Sequence, residues 1–160
     1  MALCANKVGV GKSADGFAGR QALLAASALV KLFVREPGSD RVDRMTSADP
    51  EIYIGPLTHH EFISAVQRRI QDRTLTPTGA GKAIAEFRNG LRESLFVIPF
   101  EKDLSHRALL LLEKHGTSGL RTLDALQLSA CLGVPEAAFV VSDRPLARIA
   151  TNERVKTIIV

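Results

Sequence analysis

The 160-residue sequence is poor in aromatic residues, with no tryptophan, one tyrosine and seven phenylalanines. Proteins that bind unpaired bases often stack them on aromatic side chains, so this chain has few candidates for that kind of contact. The sequence also lacks any uninterrupted apolar run near the ~20 residues needed to cross a bilayer. These two absences leave few stacking sites for nucleic acid and exclude a membrane span.

Cysteine is scarce as well, since only Cys4 and Cys131 are present and they lie far apart without the spacing of metal ligands. With no secretory hydrophobic segment, an isolated pair of this kind indicates reduced thiols and a cytoplasmic protein. The formal net charge is +4 and the pI is about 9.4. This excess favours a polyanionic partner, but it is too small to identify one and solubility explains it equally well.

The length of the chain suits a single domain, long enough to bury a core. Residues 1–20 hold four glycines and no sustained hydrophobic period, which predicts a flexible tail followed by one domain over residues 21–160. The tail contains "GVGKS", but the first glycine of a phosphate-binding loop would fall on Asn6 and no strand precedes it. We therefore reject a phosphate-binding loop.

Beyond the tail, short apolar runs alternate with segments of helical period. The predicted strands lie in "QALLAAS", "EIYIGPL", "SLFVIPF", "AAFVVS" and "VKTIIV". The predicted helices start at Thr58 and lie in "TPTGAGKAIAEFRNGL", "DLSHRALLLLEKH" and "TLDALQLSACLG". Because parallel strands need crossover connections, this alternation predicts an α/β fold with a mainly parallel sheet of roughly five strands covered by helices.

Three carboxylates stand out because their neighbourhoods are apolar: Glu61, Asp124 and Asp143. Each lies near the carboxyl end of a strand or at the start of a helix, which is the same edge of such a sheet. Each also has a structural interpretation. Glu61 could complete a capping box with Thr58, Asp124 could complement a helix N-terminus, and Asp143 could cap the helix that begins near Pro145.

Taken together, three carboxylates in one partly desolvated cleft would repel one another unless a cation neutralised them. Oxygen ligands at that density suit Mg²⁺ or Mn²⁺. A divalent ion of this kind activates water and stabilises charge on a phosphate, which is the chemistry of metal-dependent phosphodiester hydrolysis. The spacing in sequence does not by itself prove that the three side chains converge.

The residues around Glu61 give weaker signals. A zinc motif of the H-E-x-x-H type is excluded because the second histidine would fall on Ser64, so His59 and His60 are predicted to be solvated. Three arginines follow on the same predicted helix: Arg68, Arg69 and Arg73. They could contact RNA phosphates, form a solvated face or face a protein partner.

Four segments of the chain resemble the PIN-domain family, and in particular its VapC-type toxin ribonucleases. They are "SALVKLFVREPGS", "LTHHEFISAVQRR", "LRTLDALQLSACL" and "VVSDRPLARIA". The resemblance covers about residues 21–160 and implies a three-layer α/β/α sandwich. It also implies a ribonuclease site of four acidic residues around Mg²⁺ or Mn²⁺, a cognate VapB-type antitoxin as partner, and a homodimer. Glu61, Asp124 and Asp143 match three of the four acidic positions.

The fourth acidic position is vacant. Similar proteins read D-x-S-A-L at the end of the first strand, whereas this chain reads Ala25, Ala26, Ser27, Ala28 and Leu29. Of the family's polar groups there, only Ser27 remains, which in similar proteins supports the metal through its hydroxyl. The chain is therefore predicted to be an impaired ribonuclease. Ala25 could reflect natural decay into a non-catalytic module that binds antitoxin or RNA, or a deliberate substitution, which the intact surroundings favour.

A small-ligand or receiver-type α/β domain would need a glycine fingerprint or a lysine partner for its aspartates, and neither is convincing here.

The segment "LVKLFVREP" and the helix after Thr58 combine apolar and basic residues. Such surfaces suit the apolar helix and acidic tail of an antitoxin.

Overall fold

The computed structural model describes residues 21–160, so the predicted tail over residues 1–20 and its "GVGKS" segment lie outside the described residues. Five strands form one sheet: β1 (Gln21–Leu24), β2 (Glu51–Ile54), β3 (Leu95–Val97), β4 (Ala138–Val141) and β5 (Thr157–Ile159). Every pairing is parallel and the strand order is β3-β2-β1-β4-β5. The predicted parallel sheet of five strands is confirmed.

Helices supply the crossovers that a parallel sheet requires. They are α1 (Ala26–Phe33), α2 (Ser39–Thr46), α3 (Thr58–Gln71), α4 (Pro77–Glu93), α5 (Lys102–His115), α6 (Thr122–Leu132) and α7 (Arg144–Asn152). A short 3₁₀ turn over Gly116–Ser118 follows α5. Within residues 21–160, none of these helices combines the length and the apolar character needed to cross a bilayer.

Two hydrophobic cores lie on opposite faces of the sheet, because side chains alternate along each strand. From β1, Ala22 and Leu24 pack into a core that includes side chains of α1, α2, α3 and α4. Leu23 packs into the other core, which includes side chains of α5, α6 and α7. The architecture is therefore the three-layer α/β/α sandwich that the resemblance implies.

The strand order fixes where a site should form. β1 pairs with β2 on one side and with β4 on the other, so the connections leave β1 and β4 in opposite directions. In open α/β sheets, ligands bind in the crevice at the carboxyl ends of such strands. The residues that directly follow β1 and β4 therefore lie at the expected binding edge.

Helix α2 was not predicted, because only Val42 and Met45 of its eight residues are buried hydrophobic side chains. Its polar residues give no helical period of their own. The Arg35 guanidinium, on the connection before α2, forms ion pairs with the carboxylates of Asp40 and Asp43. The burial of Val42 and Met45 in the core holds this helix, and two apolar residues are too few for a hydrophobic period to predict it.

The predicted capping box at the start of α3 is absent. The N-cap is Leu57 rather than Thr58, and it makes no side-chain capping hydrogen bond. The Thr58 hydroxyl is buried and has no hydrogen-bond partner among the described residues. The structural interpretation of Glu61 as a capping residue was therefore wrong, which leaves its carboxylate for other contacts.

Candidate active site

The carboxyl edge of β1 and β4 carries the first group of candidate residues. Ala25 directly follows β1, and Asp143 lies just after β4 as the N-cap of α7. The Ala25 amide donates a hydrogen bond to the Val140 carbonyl at 2.9 Å, which extends the β1–β4 pairing to the start of α1. Positions 25 and 143 therefore lie on neighbouring strands at one edge.

Ser27 joins the two strand ends directly. Its hydroxyl oxygen accepts a hydrogen bond from the Ser142 amide at 3.1 Å, and the Ser142 hydroxyl donates to the Ser27 carbonyl at 3.4 Å. These contacts position the loop that carries Asp143 against the first turn of α1. The described contacts give Ser27 a positioning role, whereas its predicted support of a metal stays a prediction.

Asp143 performs the capping role that the sequence suggested. One of its carboxylate oxygens accepts a hydrogen bond from the Leu146 amide at 2.7 Å, and Pro145 occupies the first turn of α7. A capping aspartate typically uses one oxygen for the helix N-terminus. The second oxygen of Asp143 stays available, so capping and metal binding are compatible for this residue.

Gln127 links the remaining candidates and was missed by the sequence analysis. Its side-chain oxygen accepts a hydrogen bond from the Ala26 amide at 3.3 Å, and its side-chain nitrogen donates to the Glu61 carboxylate. The residue is buried in α6, three positions after Asp124, so both side chains lie on one side of that helix. A polar residue on an otherwise apolar helix, one turn after a candidate acid, was the signal available.

Burial and repulsion between neighbouring carboxylates both act on the acidic residues of this site. Burial raises the pKa of Asp124, and the nearby Asp143 carboxylate raises it further, against a smaller opposing effect of Arg121. Burial likewise raises the pKa of Glu61, and the charge of Asp124 adds to that effect, while the Gln127 hydrogen bond and Arg68 oppose it. Asp124 is therefore close enough to Glu61 and to Asp143 for electrostatic repulsion within each pair, whereas the convergence of all three carboxylates on one ion stays a prediction.

The carboxylates of this cleft are suitable ligands for a divalent cation, but too few of them are grouped together to hold one. Carboxylate oxygens suit Mg²⁺ or Mn²⁺, and a cation would offset the repulsion of Asp124 with Glu61 and with Asp143. Among residues 21–160, however, no three acidic, histidine or cysteine side chains are grouped closely enough to hold an ion. Glu61 is bound by Gln127, and Ala25 offers only a methyl group at the edge of the cleft.

The neighbouring basic and imidazole side chains divide into two kinds. Arg69 forms an ion pair with Glu36 and is not available to a ligand, whereas Arg68 and Arg73 are exposed. His60 is exposed as predicted. His59 is not fully solvated, because burial lowers its pKa and its Nδ1 has no hydrogen-bond partner among the described residues.

The segment proposed to receive an antitoxin is mostly internal. Leu29 and Val30 are fully buried, and Lys31 is only 8% exposed. The Lys31 ammonium contacts the Glu36 carboxylate at 3.1 Å. Because Arg69 shares that carboxylate, the basic side chains of this region hold α1, its following loop and α3 together. Lys31 and Arg69 are therefore not free basic groups, whereas Arg68 and Arg73 are exposed, and the binding of an antitoxin stays a prediction.

Comparison with known proteins agrees with this architecture. The model of the PIN domain matches residues 22–152, which is most of the chain. No curated protein shows significant similarity to the chain. PIN domains are generally metal-dependent nucleases, which accords with acidic side chains at the carboxyl edge of a parallel sheet. The parallel five-stranded sheet, the two helical layers and the family match together show that this chain belongs to the PIN-domain family.

Proposed function

We propose that this protein is the VapC-type toxin of a type II toxin–antitoxin system, a Mg²⁺- or Mn²⁺-dependent ribonuclease that is impaired by alanine at position 25. One observation carries the proposal: the Asp124 carboxylate lies near both Glu61 and Asp143, at the edge of the sheet where buried Ala25 follows β1. The same proposal places the protein in the cytoplasm, where cellular RNA is the substrate.

The acidic residues would divide the work between them. Asp124 and Asp143 would hold the cation, with Glu61 completing the cluster from α3. When bound, such an ion activates water and offsets charge on the phosphate. Gln127 fixes the Glu61 carboxylate, which would orient the attacking water, and Ser27 fixes the loop that carries Asp143. Arg68, near Glu61, would attract the RNA phosphate.

The test is RNA cleavage by the Ala25→Asp variant. Asparagine has nearly the same size and capping ability as aspartate but lacks its charge, so Ala25→Asn is the matched control. Loss of even an outer-shell partner of a metal ligand commonly costs ~10- to 100-fold in activity, so restoring a ligand should raise the rate by at least that factor. We expect Ala25→Asp to cut cellular RNA with Mg²⁺ or Mn²⁺, and EDTA to stop it.

A second candidate function is a non-catalytic PIN-like module that binds antitoxin or RNA. The observation in its favour is Ala25 itself, since the described residues do not assemble a complete metal site. This alternative predicts RNA or antitoxin binding without metal-dependent cleavage in any variant. If Ala25→Asp folds but cuts no RNA, the module replaces the ribonuclease.

We further propose that a cognate VapB-type antitoxin binds the protein and that the protein forms a homodimer. Exposed apolar side chains support a contact surface, with Phe96 at 52% and Phe100 at 58% exposed on and just after the edge strand β3. Calorimetry with a proven cognate antitoxin should show binding despite Ala25. An absence of binding would contradict the antitoxin proposal. Light scattering should show a dimer that the Phe96→Ser substitution weakens, and a monomer at all concentrations would contradict the dimer proposal.

A further inference from the structure

A groove of about 300 Å³ lies between α7 and the edge strand β5. It combines two arginines and two threonines with two apolar residues, and its lining is Arg144, Ala147, Arg148, Thr151, Thr157 and Ile159. Guanidinium and hydroxyl groups in one groove are the groups that contact phosphate oxygens. None of the acidic residues contributes to the lining.

The two arginines are free to bind a ligand. Both Arg144 and Arg148 are exposed, and neither forms an ion pair within residues 21–160. The nearest acid along the chain beyond α7 is Glu153, which pairs with Lys114 at 2.8 Å and also contacts His115. Glu153 is therefore engaged outside the groove, and the two guanidinium groups are the charged side chains of its lining.

The groove begins at the acidic cleft. Asp143 caps α7, and Arg144 is the first residue of that helix. Arg148 lies one turn farther along the same face, about 6 Å away along the helix axis. Because β5 runs parallel to β4, Ile159 lies near the carboxyl edge and Thr157 lies farther from it. The groove thus leads from the cleft along the outer edge of the sheet.

We propose that this α7–β5 groove binds the phosphate backbone of the RNA strand on one side of the scissile bond. The inference rests on the proposed ribonuclease function and adds a path for the substrate. Arg144 and Arg148 contact neighbouring phosphates, and the threonine hydroxyls support the same strand. Phosphate contacts position a nucleic acid without reading its sequence, so the groove supplies affinity rather than target choice.

The experiment measures binding of a short fluorescent single-stranded RNA by anisotropy, in EDTA and over a series of NaCl concentrations. The groove variant is Arg144→Gln with Arg148→Gln. The matched control is Arg88→Gln with Arg92→Gln, an exposed pair with the same spacing on α4 at the other face of the sheet. Both variants lose the same charge, and thermal melts check that both fold. An acidic polyglutamate peptide serves as the competing ligand.

We expect the groove variant to bind the RNA more weakly than the parent. The slope of the logarithm of its binding constant against the logarithm of the NaCl concentration should be smaller by ~1.4, since each phosphate contact to a single strand contributes ~0.7. The control should keep the parent slope. Equal slopes in both variants would overturn the groove while leaving cleavage by Ala25→Asp to decide the ribonuclease proposal separately. Loss of polyglutamate binding without loss of RNA binding would overturn it too, since the groove would then be a protein site. Absence of any RNA binding by the parent would also overturn it.

Discussion

Helices α1 and α7 start at the same edge of the sheet, directly after the neighbouring parallel strands β1 and β4, yet their first turns differ. At α7, the Asp143 carboxylate caps the helix through the Leu146 amide. At α1, the N-cap is Ala25, whose side chain makes no capping hydrogen bond. Alanine is among the poorest N-caps and aspartate is among the best.

The backbone at Ala25 already has the conformation that a capping aspartate would adopt. It has the extended conformation of an N-cap, with φ −65° and ψ 158°, and its carbonyl accepts hydrogen bonds from the amides of Ala28 and Leu29. An aspartate at this position would cap α1 and add a carboxylate to the cleft. The difference between the two helices indicates that one residue type could serve both a helix cap and the proposed metal site, since Asp143 already caps α7 and keeps a second carboxylate oxygen.

The largest expected effect concerns Asp124. In the Ala25→Asp background, Asp124→Asn should lower metal-dependent RNA cleavage by at least the ~10- to 100-fold cost of disturbing a metal site, because an amide replaces a charged ligand. Asp72→Asn, at an exposed position beyond α3, is the matched control. Equal rates for the two variants would remove Asp124 from the site.

The next effect concerns the link between the α1 start and the cleft. Gln127→Leu should reduce the free energy of unfolding by about 1–3 kcal/mol, because the Ala26 amide and the Glu61 carboxylate lose a buried partner. Urea denaturation measures this loss, with Gln67→Leu at an exposed position of α3 as control. An unchanged unfolding midpoint would show that Gln127 does not support the cleft.

A smaller effect separates the two roles of Asp143. Asp143→Ala removes the α7 cap and should cost about 1 kcal/mol of unfolding free energy. Asp143→Asn should lose much less, because the amide oxygen can still accept from the Leu146 amide. Urea denaturation of both variants tests the cap, and equal losses would assign the effect to charge instead.

The smallest effect is a pH dependence of stability. The raised pKa values of Asp124 and Glu61 mean that the folded protein favours their protonated forms. Their contribution to stability is therefore complete below the ordinary pKa values of 3.8 and 4.5, and it is lost as the pH rises through the raised ones. Asp143→Asn removes repulsion on Asp124, so its unfolding free energy should fall less than that of the parent between acidic and neutral pH. Parallel curves for the two proteins would contradict the coupling.

The strands and the long helices could be predicted because their apolar residues have a clear period, as in "AAFVVS" and "DLSHRALLLLEKH". Helix α2 could not, since only Val42 and Met45 of its eight residues are apolar side chains in the core, which is too few to display a period. For the site, strand ends in a parallel sheet predicted the shared edge of Glu61 and Asp143.

The contacts within the site were harder to predict from the sequence. Gln127 lies far from both of its partners along the chain, so no local pattern indicates its hydrogen bonds to Ala26 and Glu61. The predicted capping box was wrong because the N-cap of α3 is Leu57, one residue before Thr58. The sequence pattern predicted a partner surface that includes Lys31, whereas its ion pair with Glu36 depends on how the following loop folds back.

The most direct measurement compares the Mn²⁺-induced melting shifts of Ala25→Asp and Ala25→Asn. Both variants can cap α1, but only Ala25→Asp adds a carboxylate to an electronegative cleft. Without metal, Ala25→Asp should therefore melt lower than Ala25→Asn. With Mn²⁺ at ~100 times its Kd, Ala25→Asp should gain about 5–10 °C, whereas Ala25→Asn and the parent should gain far less. Equal shifts in all three proteins would contradict the claim that position 25 is the missing ligand of a metal site.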